Sequence, residues 1–326
     1  MTQVVVIEGL ESGSDLSIER SVLGPDVEFV QHTFDGDEER LISACKEADV
    51  ILTEFAPLTR IVVEQMQRCQ LISVVGTGYS SIDVEAAVDA NISVCAIDEY
   101  CTDEAADHVI LLMLALCRRL TEYHDQVQRE YLWQPESLSG IARMRDLTLG
   151  IIGFGKIGQA VARRAHGFGM TIIVNDPHSD ELAAPDLDVR FLDLPELLAA
   201  ADIISLNCRL STDNEHMIDA NAFQRMSRHP ILINCARGGL VDETALVDAL
   251  DSGQIAAAGL DVLSDEPPDL RTLNLSGRDN VILTPHIAYY SDRSALKSRE
   301  IAASNIRNFL DGKHENVRQY IHHSKG

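Results

Sequence analysis

Leu147-Thr-Leu-Gly-Ile-Ile-Gly-Phe-Gly-Lys-Ile-Gly158 is the stretch on which the reading of this chain turns. An apolar run ends in Gly153-x-Gly155-x-x-Gly158, and Gln159-Ala-Val-Ala-Arg-Arg-Ala-His166 continues it as a helix. A second apolar run, Met170 to Val174, leads to Asp176, 18 residues beyond Gly158. The three glycines alone say little. Set between a strand and a helix, with an acid at that distance, they form the unit that holds a dinucleotide. The glycines turn the chain and let its backbone approach a pyrophosphate, the helix N-terminus faces the phosphates, and the acid accepts hydrogen bonds from a ribose. Gly153, Phe154, Gly155, Lys156, Ile157 and Gly158, with Asp176, are therefore the expected cofactor contacts. The carboxylate of Asp176 repels a 2′-phosphate, and Pro177-His178-Ser179 offers no arginine to receive one, so NADH is expected in preference to NADPH.

Outward from this unit the same alternation recurs. Before it, Val4–Ile7, Val27–Val30, Val50–Thr53, Leu71–Val75 and Ile92–Cys95 read as strands, separated by helical stretches such as Glu38–Ala48 and Val84–Ala90. Short β-branched runs alternating with amphipathic segments predict a parallel sheet with helical crossovers. A long helix is expected from Thr102, as N-cap, to about Leu120, bridging two domains. Gln126 to Arg145, with Trp133 and Pro135, reads either as a dimer arm or as a surface connection. From Leu147 to Leu283 the alternation resumes, and the tail from Gly312 is polar, with His322-His323 read as solvated surface.

Composition narrows the function classes. The chain has 326 residues, enough for two domains, and its 45% apolar and 24% charged content suits a soluble globular protein. Its longest apolar run, Val109 to Cys117, is too short to cross a bilayer, and Met1-Thr-Gln-Val-Val-Val-Ile7 reads as a first strand rather than a signal peptide. A net charge of −24, from 51 acidic against 27 basic residues, argues against nucleic acid and against an anionic membrane surface as partners. It also means that an anionic substrate needs local positive groups. Seven cysteines without a C-x-x-C pair point to a reducing, cytoplasmic compartment, with no metal site expected.

Three residues in separate segments carry the chemistry: Arg237 in Asn234-Cys-Ala-Arg-Gly-Gly-Leu-Val-Asp-Glu243, Glu266 in Leu260-Asp-Val-Leu-Ser-Asp-Glu-Pro267, and His286 in Thr284-Pro-His-Ile-Ala288. An arginine holds a carboxylate bidentately, a histidine moves a proton near neutrality, and a glutamate orients that histidine. Taken singly, each also reads as a loop, turn or capping residue. His108, on the apolar bridging helix, reads as a satisfied core residue.

In this order the segments resemble the D-isomer-specific 2-hydroxyacid dehydrogenases over nearly the whole chain. The likeness rests on the glycine loop, Cys235-Ala-Arg-Gly-Gly-Leu-Val-Asp-Glu243, Gly259-Leu-Asp-Val262, Glu266-Pro267 and Thr284-Pro-His286. Asp103-Glu-Ala-Ala-Asp107 and His286-Ile-Ala-Tyr-Tyr-Ser291 are similar to the branch that contains the C-terminal-binding-protein corepressors. The resemblance implies two Rossmann/flavodoxin-like parallel-sheet domains with a cofactor–substrate cleft between them. A discontinuous substrate domain, 1–101 and 290–326, would flank an NAD-binding Rossmann domain, 102–289. It implies further that Gly76-Thr77-Gly78 offers backbone N–H groups to a substrate carboxylate, with Thr77 near the cofactor. Cys208, Cys235, Ala236 and Asp261 would line the cofactor groove, Asp261 near the carboxamide. Arg237, Glu266 and His286 would be catalytic, Arg237 and Tyr289 would touch substrate, and the protein would be a homodimer. The activity implied is NAD(H)-dependent hydride transfer between a 2-oxo acid and a (D/R)-2-hydroxy acid. An NAD-sensing corepressor-like binding protein and a phosphite-type dehydrogenase are the alternatives; a formate enzyme is disfavoured by Glu266, a partner such enzymes lack. The chain departs from the common pattern at Ser80-Ser81, at Cys208-Arg-Leu-Ser211 and at Tyr289, which touches the pocket wall and so bears on substrate identity.

Overall fold

The computed structural model describes residues 1–8, 15–179 and 184–324. The chain folds as two compact units, Met1–Tyr100 with Ser291–Gly326, and Cys101–Tyr290.

The first unit is built on β1 (Thr2–Glu8), α1 (Ser17–Leu23), β2 (Val27–Thr33), α2 (Glu38–Cys45), β3 (Val50–Thr53), α3 (Arg60–Val63), β4 (Leu71–Val74), α4 (Val84–Asp89) and β5 (Ser93–Cys95). All five strands run parallel, in the order β5-β4-β3-β1-β2. Every residue of β3, β4 and β5 is buried, as a parallel sheet covered on both faces requires. Val5, Ile51, Ile72 and Val94 are fully buried in its core. After α1, helices start where an acid or hydroxyl satisfies the first free N–H groups: Asp37 caps α2, Thr59 caps α3 and Asp83 caps α4.

The second unit opens with α5 (Thr102–Cys117) and α6 (Leu120–Gln128). It continues through β6 (Thr148–Ile152), α7 (Lys156–Gly167), β7 (Thr171–Asn175), β8 (Val189–Phe191), α8 (Leu194–Ala200), β9 (Ile203–Leu206), α9 (Ala220–Arg225), β10 (Ile231–Asn234), α10 (Glu243–Asp251), β11 (Ala257–Leu260) and β12 (Val281–Leu283). Its seven strands are parallel, in the order β12-β11-β10-β9-β6-β7-β8. The order reverses between β6 and β9, so a crevice opens at the carboxyl ends of those two strands, where such sheets bind ligands.

The long helix differs from expectation in two ways. Cys101, not Thr102, occupies the N-cap position, and no side chain caps there; Thr102 is already helical. The helix also ends at Cys117, because Arg119 takes a left-handed backbone (φ 50°) before α6 begins. Asp103 and Asp107 have a structural use: they pair with Arg164 of α7 at 2.9 and 2.6 Å, joining the two helices.

The chain then returns to the first unit through α11 (Asp292–Leu310), opened by a capping box between Ser291 and Ser294. Its polar inner face is satisfied by that unit: Ser73 Oγ donates to Ala302 O at 3.3 Å and Asn305 Nδ2 to Ala96 O at 3.1 Å. Arg299 holds the buried Glu19 of α1 with two bonds of 2.6 Å. The polar tail is not simply solvated. β13 (Tyr320–His322) pairs antiparallel with β5, and the His323 ring stacks on Tyr320 with centroids 4.5 Å apart. Alternate polar side chains on a short edge strand hide its pairing from a hydropathy reading.

Among the described residues no helix is long and apolar enough to cross a membrane, and no group of three His, Cys, Asp or Glu side chains is placed to hold a metal ion.

Candidate active site

The crevice is shaped by glycine. Gly153 has φ 90°, and a Cβ there would come within 2.6 Å of Cys208 N, so the β6 turn lies directly against the end of β9. A Cβ at Gly158 would meet Gly153 O at 2.2 Å, which explains the close packing of α7 under the turn. Gly155 is different: a Cβ would meet nothing within 4 Å, leaving open space above the backbone. Gly155 is also the N-cap of α7 and has no side-chain cap, so no capping side chain stands between the positive end of that helix and the space. Asp176 lies at the end of β7. Its Oδ2 accepts from Phe154 N at 2.7 Å and its Oδ1 from His178 N at 2.8 Å, which fixes the carboxylate beside the glycine turn. These features fit a dinucleotide.

Cys208 and Cys235 are half-buried thiols at the carboxyl ends of β9 and β10. Burial pushes the Cys208 thiol up to about 11, and burial together with the nearby Asp261 charge pushes Cys235 up as well. Both stay protonated near neutrality, which removes them as nucleophiles.

Arg237 follows β10 on a loop tied by its own asparagine: Asn234 Oδ1 accepts from Ala236 N at 3.0 Å, and Asn234 Nδ2 donates to Arg237 O at 2.9 Å. Gly238 then lets this loop press against the next one. A Cβ at Gly238 would overlap Leu263 C at 1.9 Å, so only glycine permits the approach. Leu263 in turn donates its N–H to Glu266 Oε1 at 2.8 Å, and Ser264 N is held by Glu243 Oε1 at 2.6 Å. The arginine loop and the glutamate loop are thus seated on one another.

Glu266 Oε2 meets His286 Nδ1 at 2.6 Å, with both side chains about one-third exposed. Burial alone would raise the Glu266 carboxyl. The hydrogen bond from His286, the N–H of Leu263 and the charges of His286 and Arg237 outweigh it and hold Glu266 below the usual glutamate value. Glu266 is therefore an anion at neutral pH, beside both His286 and Arg237.

His286 sits on a left-handed backbone (φ 52°), a conformation costing roughly 1–3 kcal/mol for a residue with a side chain unless its surroundings impose it. Asp261, at the end of β11 and 1% exposed, supplies that restraint. Its main-chain oxygen accepts from His286 N at 2.8 Å, its Oδ1 from Ile287 N at 2.9 Å and from Thr284 Oγ1 at 2.5 Å, and its Oδ2 from Ala288 N at 2.8 Å. Both carboxylate oxygens are engaged by the 284–288 loop, a use that the sequence pattern did not disclose. Tyr289 lies edge-on to His286, ring centroids 6.3 Å apart.

Arg237, Glu266, His286, Cys208, Cys235, Ala236, Asp261, Asp176 and Tyr289 therefore all belong to the second unit. Gly76, Thr77 and Gly78 belong to the first, in the turn after β4, beside the end of β3 through Val75 N to Thr53 O at 2.8 Å. On the neighbouring β3 loop Phe55 is 61% exposed, a large apolar side chain that sequence reading passed over.

Strand order and glycine loop together define the second unit as a dinucleotide-binding α/β fold. Residues 110–288, more than half of the chain, match the D-isomer specific 2-hydroxyacid dehydrogenase, NAD binding domain family. The chain is 35% identical over 287 residues to a hydroxypyruvate reductase of Blautia hydrogenotrophica, covering 86% of this chain and 88% of that protein. It is 37% identical over 279 residues to a D-3-phosphoglycerate dehydrogenase of Methanocaldococcus jannaschii, covering 85% of this chain but 52% of that one, so it spans about half of that relative's length. Among solved structures, D-lactate dehydrogenase from Aquifex aeolicus complexed with NAD and lactic acid matches with a TM-score of 0.87 at 29% identity, covering 98% of each chain. The chain belongs to the D-isomer-specific 2-hydroxyacid dehydrogenase family, and carries that family's NAD-binding domain.

Proposed function

We propose that this protein interconverts a 2-oxo acid and a (D/R)-2-hydroxy acid with NAD(H), using His286 as acid and base. The observation that carries the reading is the 2.6 Å contact of His286 Nδ1 with an ionised Glu266 that also feels the charge of Arg237. A bound nicotinamide supplies the hydride in reduction and accepts it in oxidation. With Nδ1 committed to Glu266, Nε2 is the ring nitrogen left to exchange a proton with the substrate's C2 oxygen. Arg237 holds the substrate carboxylate and polarises the carbonyl, and Tyr289 lines the acid's side-chain pocket. The glycine loop would hold the pyrophosphate and Asp176 the adenosine ribose. Cys208, Cys235 and Ala236 would form the groove wall, and Gly76-Thr77-Gly78 the backbone donors to the substrate carboxylate. The activities of the hydroxypyruvate reductase and D-lactate dehydrogenase relatives support the acid class. NADH absorbance followed with glyoxylate, hydroxypyruvate, phenylpyruvate and branched 2-oxo acids tests it. Tight NADH binding without turnover of any acid would replace it with a cofactor-sensing binding role.

Glu266→Gln keeps a hydrogen-bonding side chain but removes the anion beside His286, so kcat is expected to fall, with a smaller loss than removal of His286 itself. Steady-state kcat of the two variants checks this, and a glutamine variant with wild-type kcat counts against the pair. Asp176→Ala removes the charge that repels a 2′-phosphate; the NADH-over-NADPH ratio of kcat/KM is expected to fall by about tenfold, roughly 1.4 kcal/mol. An unchanged ratio would show that preference lies elsewhere.

The same reading includes a homodimer. Tyr131 and Trp133, 89% and 86% exposed on the segment after α6, support an arm that a second copy covers. A monomer-sized particle in sedimentation velocity at micromolar protein would refute it. The seven free thiols support a cytoplasmic location, which cell fractionation checks.

A further inference from the structure

We infer that His108 is a positioning residue for His286, acting through Thr284 and Asp261; this rests on the oxidoreductase reading above. His108 lies on α5, whose Ala106 and Val109 are buried in the core, and its own side chain is only 11% exposed. Its Nε2 is 2.9 Å from Thr284 Oγ1 and 3.5 Å from Asp261 Oδ1.

Proton arithmetic sets the direction of this chain. The Asp261 side chain is wholly buried, and its two oxygens accept from Thr284 Oγ1, Ile287 N and Ala288 N. The single hydroxyl proton of Thr284 is committed to Asp261 Oδ1 at 2.5 Å. Thr284 Oγ1 must therefore accept from an N–H on His108 Nε2. From His108 the links run to Thr284, then to Asp261, then to the N–H groups of Ile287 and Ala288, the two peptides that follow His286. An apolar core has no need of an imidazole here. A leucine would fill the space, yet it would leave Thr284 without its donor and free to turn its hydroxyl away from Asp261. The left-handed backbone of His286 would then lose part of what holds it. The carboxylate-holding loop of Arg237 is tied by Asn234 instead, so the loss should fall on the chemical step and spare substrate binding.

The test compares His108→Leu with His108→Gln, whose side-chain amide keeps an N–H donor. In His108→Leu, kcat is expected to fall by about 10- to 100-fold, the range that a misplacement of about 1 Å produces, with KM changed less than about twofold. Amide exchange at Ile287 and Ala288, read by NMR without any acid present, is expected to quicken. His108→Gln should restore most of both. Where His108→Leu fails to fold, Thr284→Val breaks the same link from the other side and should give the same pair of changes. Wild-type kcat in the leucine variant overturns the inference, whatever the exchange shows. So does a glutamine variant as impaired as leucine, and so does unaltered exchange. If the wild-type protein turns over no 2-oxo acid, the oxidoreductase reading fails, while exchange still decides whether His108 holds this loop.

Discussion

His286→Ala is expected to lower kcat by about 100- to 10,000-fold, the span that one general acid–base group contributes, while NADH binds as before. The reason lies in which contacts the imidazole makes. Its Nδ1 is spent on Glu266 at 2.6 Å, leaving one nitrogen for the reacting oxygen, and no second histidine stands on that loop to replace it. The backbone of the loop, by contrast, is held by Asp261 through amide N–H groups that an alanine keeps. The substitution should therefore remove a proton donor without dissolving the cofactor groove. One complication is the left-handed φ of 52°, which alanine tolerates poorly. His286→Asn answers it, because asparagine adopts that backbone readily and carries no titratable proton. The two variants should lose activity alike. Full activity in either would remove His286 from the proton-transfer role, and loss of NADH binding in alanine alone would trace its defect to the backbone.

How this site was legible in the sequence differs by residue. The glycine loop and Asp176 could be read directly, because a strand, a turn and a helix lie within thirty or so residues and their spacing is local. Arg237, Glu266 and His286 are dispersed along the chain, and nothing in the spacing of three polar residues brings them together; the parallel sheet does so, by ending β10, β11 and β12 side by side. Gly238 looked like one half of a Gly-Gly pair, and its purpose, an approach to the Leu263 backbone too close for any Cβ, exists only once both loops are folded. His108 is the sharpest case. On an apolar helix it reads as a core residue, and its partner Thr284 is 176 positions away. Local propensity misled at the helix start as well. Thr102 has the chemistry of an N-cap, but the chain enters its helix one residue earlier and leaves that chemistry unused. The break at Arg119 was equally hidden, since arginine is a good helix former and Arg118-Arg119 carry no sign of a left-handed backbone.

Arg237→Lys is the second large effect, and it separates charge from geometry. Lysine keeps one positive charge, so any field that draws an acid toward this strongly acidic chain survives. What it loses is the planar fork that meets both oxygens of a carboxylate. One hydrogen bond to a charged group is worth about 1.5–3 kcal/mol, so kcat/KM is expected to fall by about 10- to 150-fold. The loop itself should not move. Its shape depends on Asn234 and on the close approach of Gly238 to Leu263, neither of which involves the guanidinium. Only the bond from Arg237 Nη1 to Ala236 O, at 2.6 Å, ties the side chain to its own turn, and a lysine ammonium can occupy part of that place. If Arg237 grips the carboxylate in ground and transition states alike, the loss appears in KM. If it chiefly polarises the carbonyl as hydride arrives, kcat falls with KM little changed. Steady-state kinetics of the lysine variant with the best acid of the panel would tell these apart. A variant whose kcat/KM matches wild type would mean that the substrate carboxylate is held elsewhere, and that Arg237 serves only to keep Glu266 ionised beside His286.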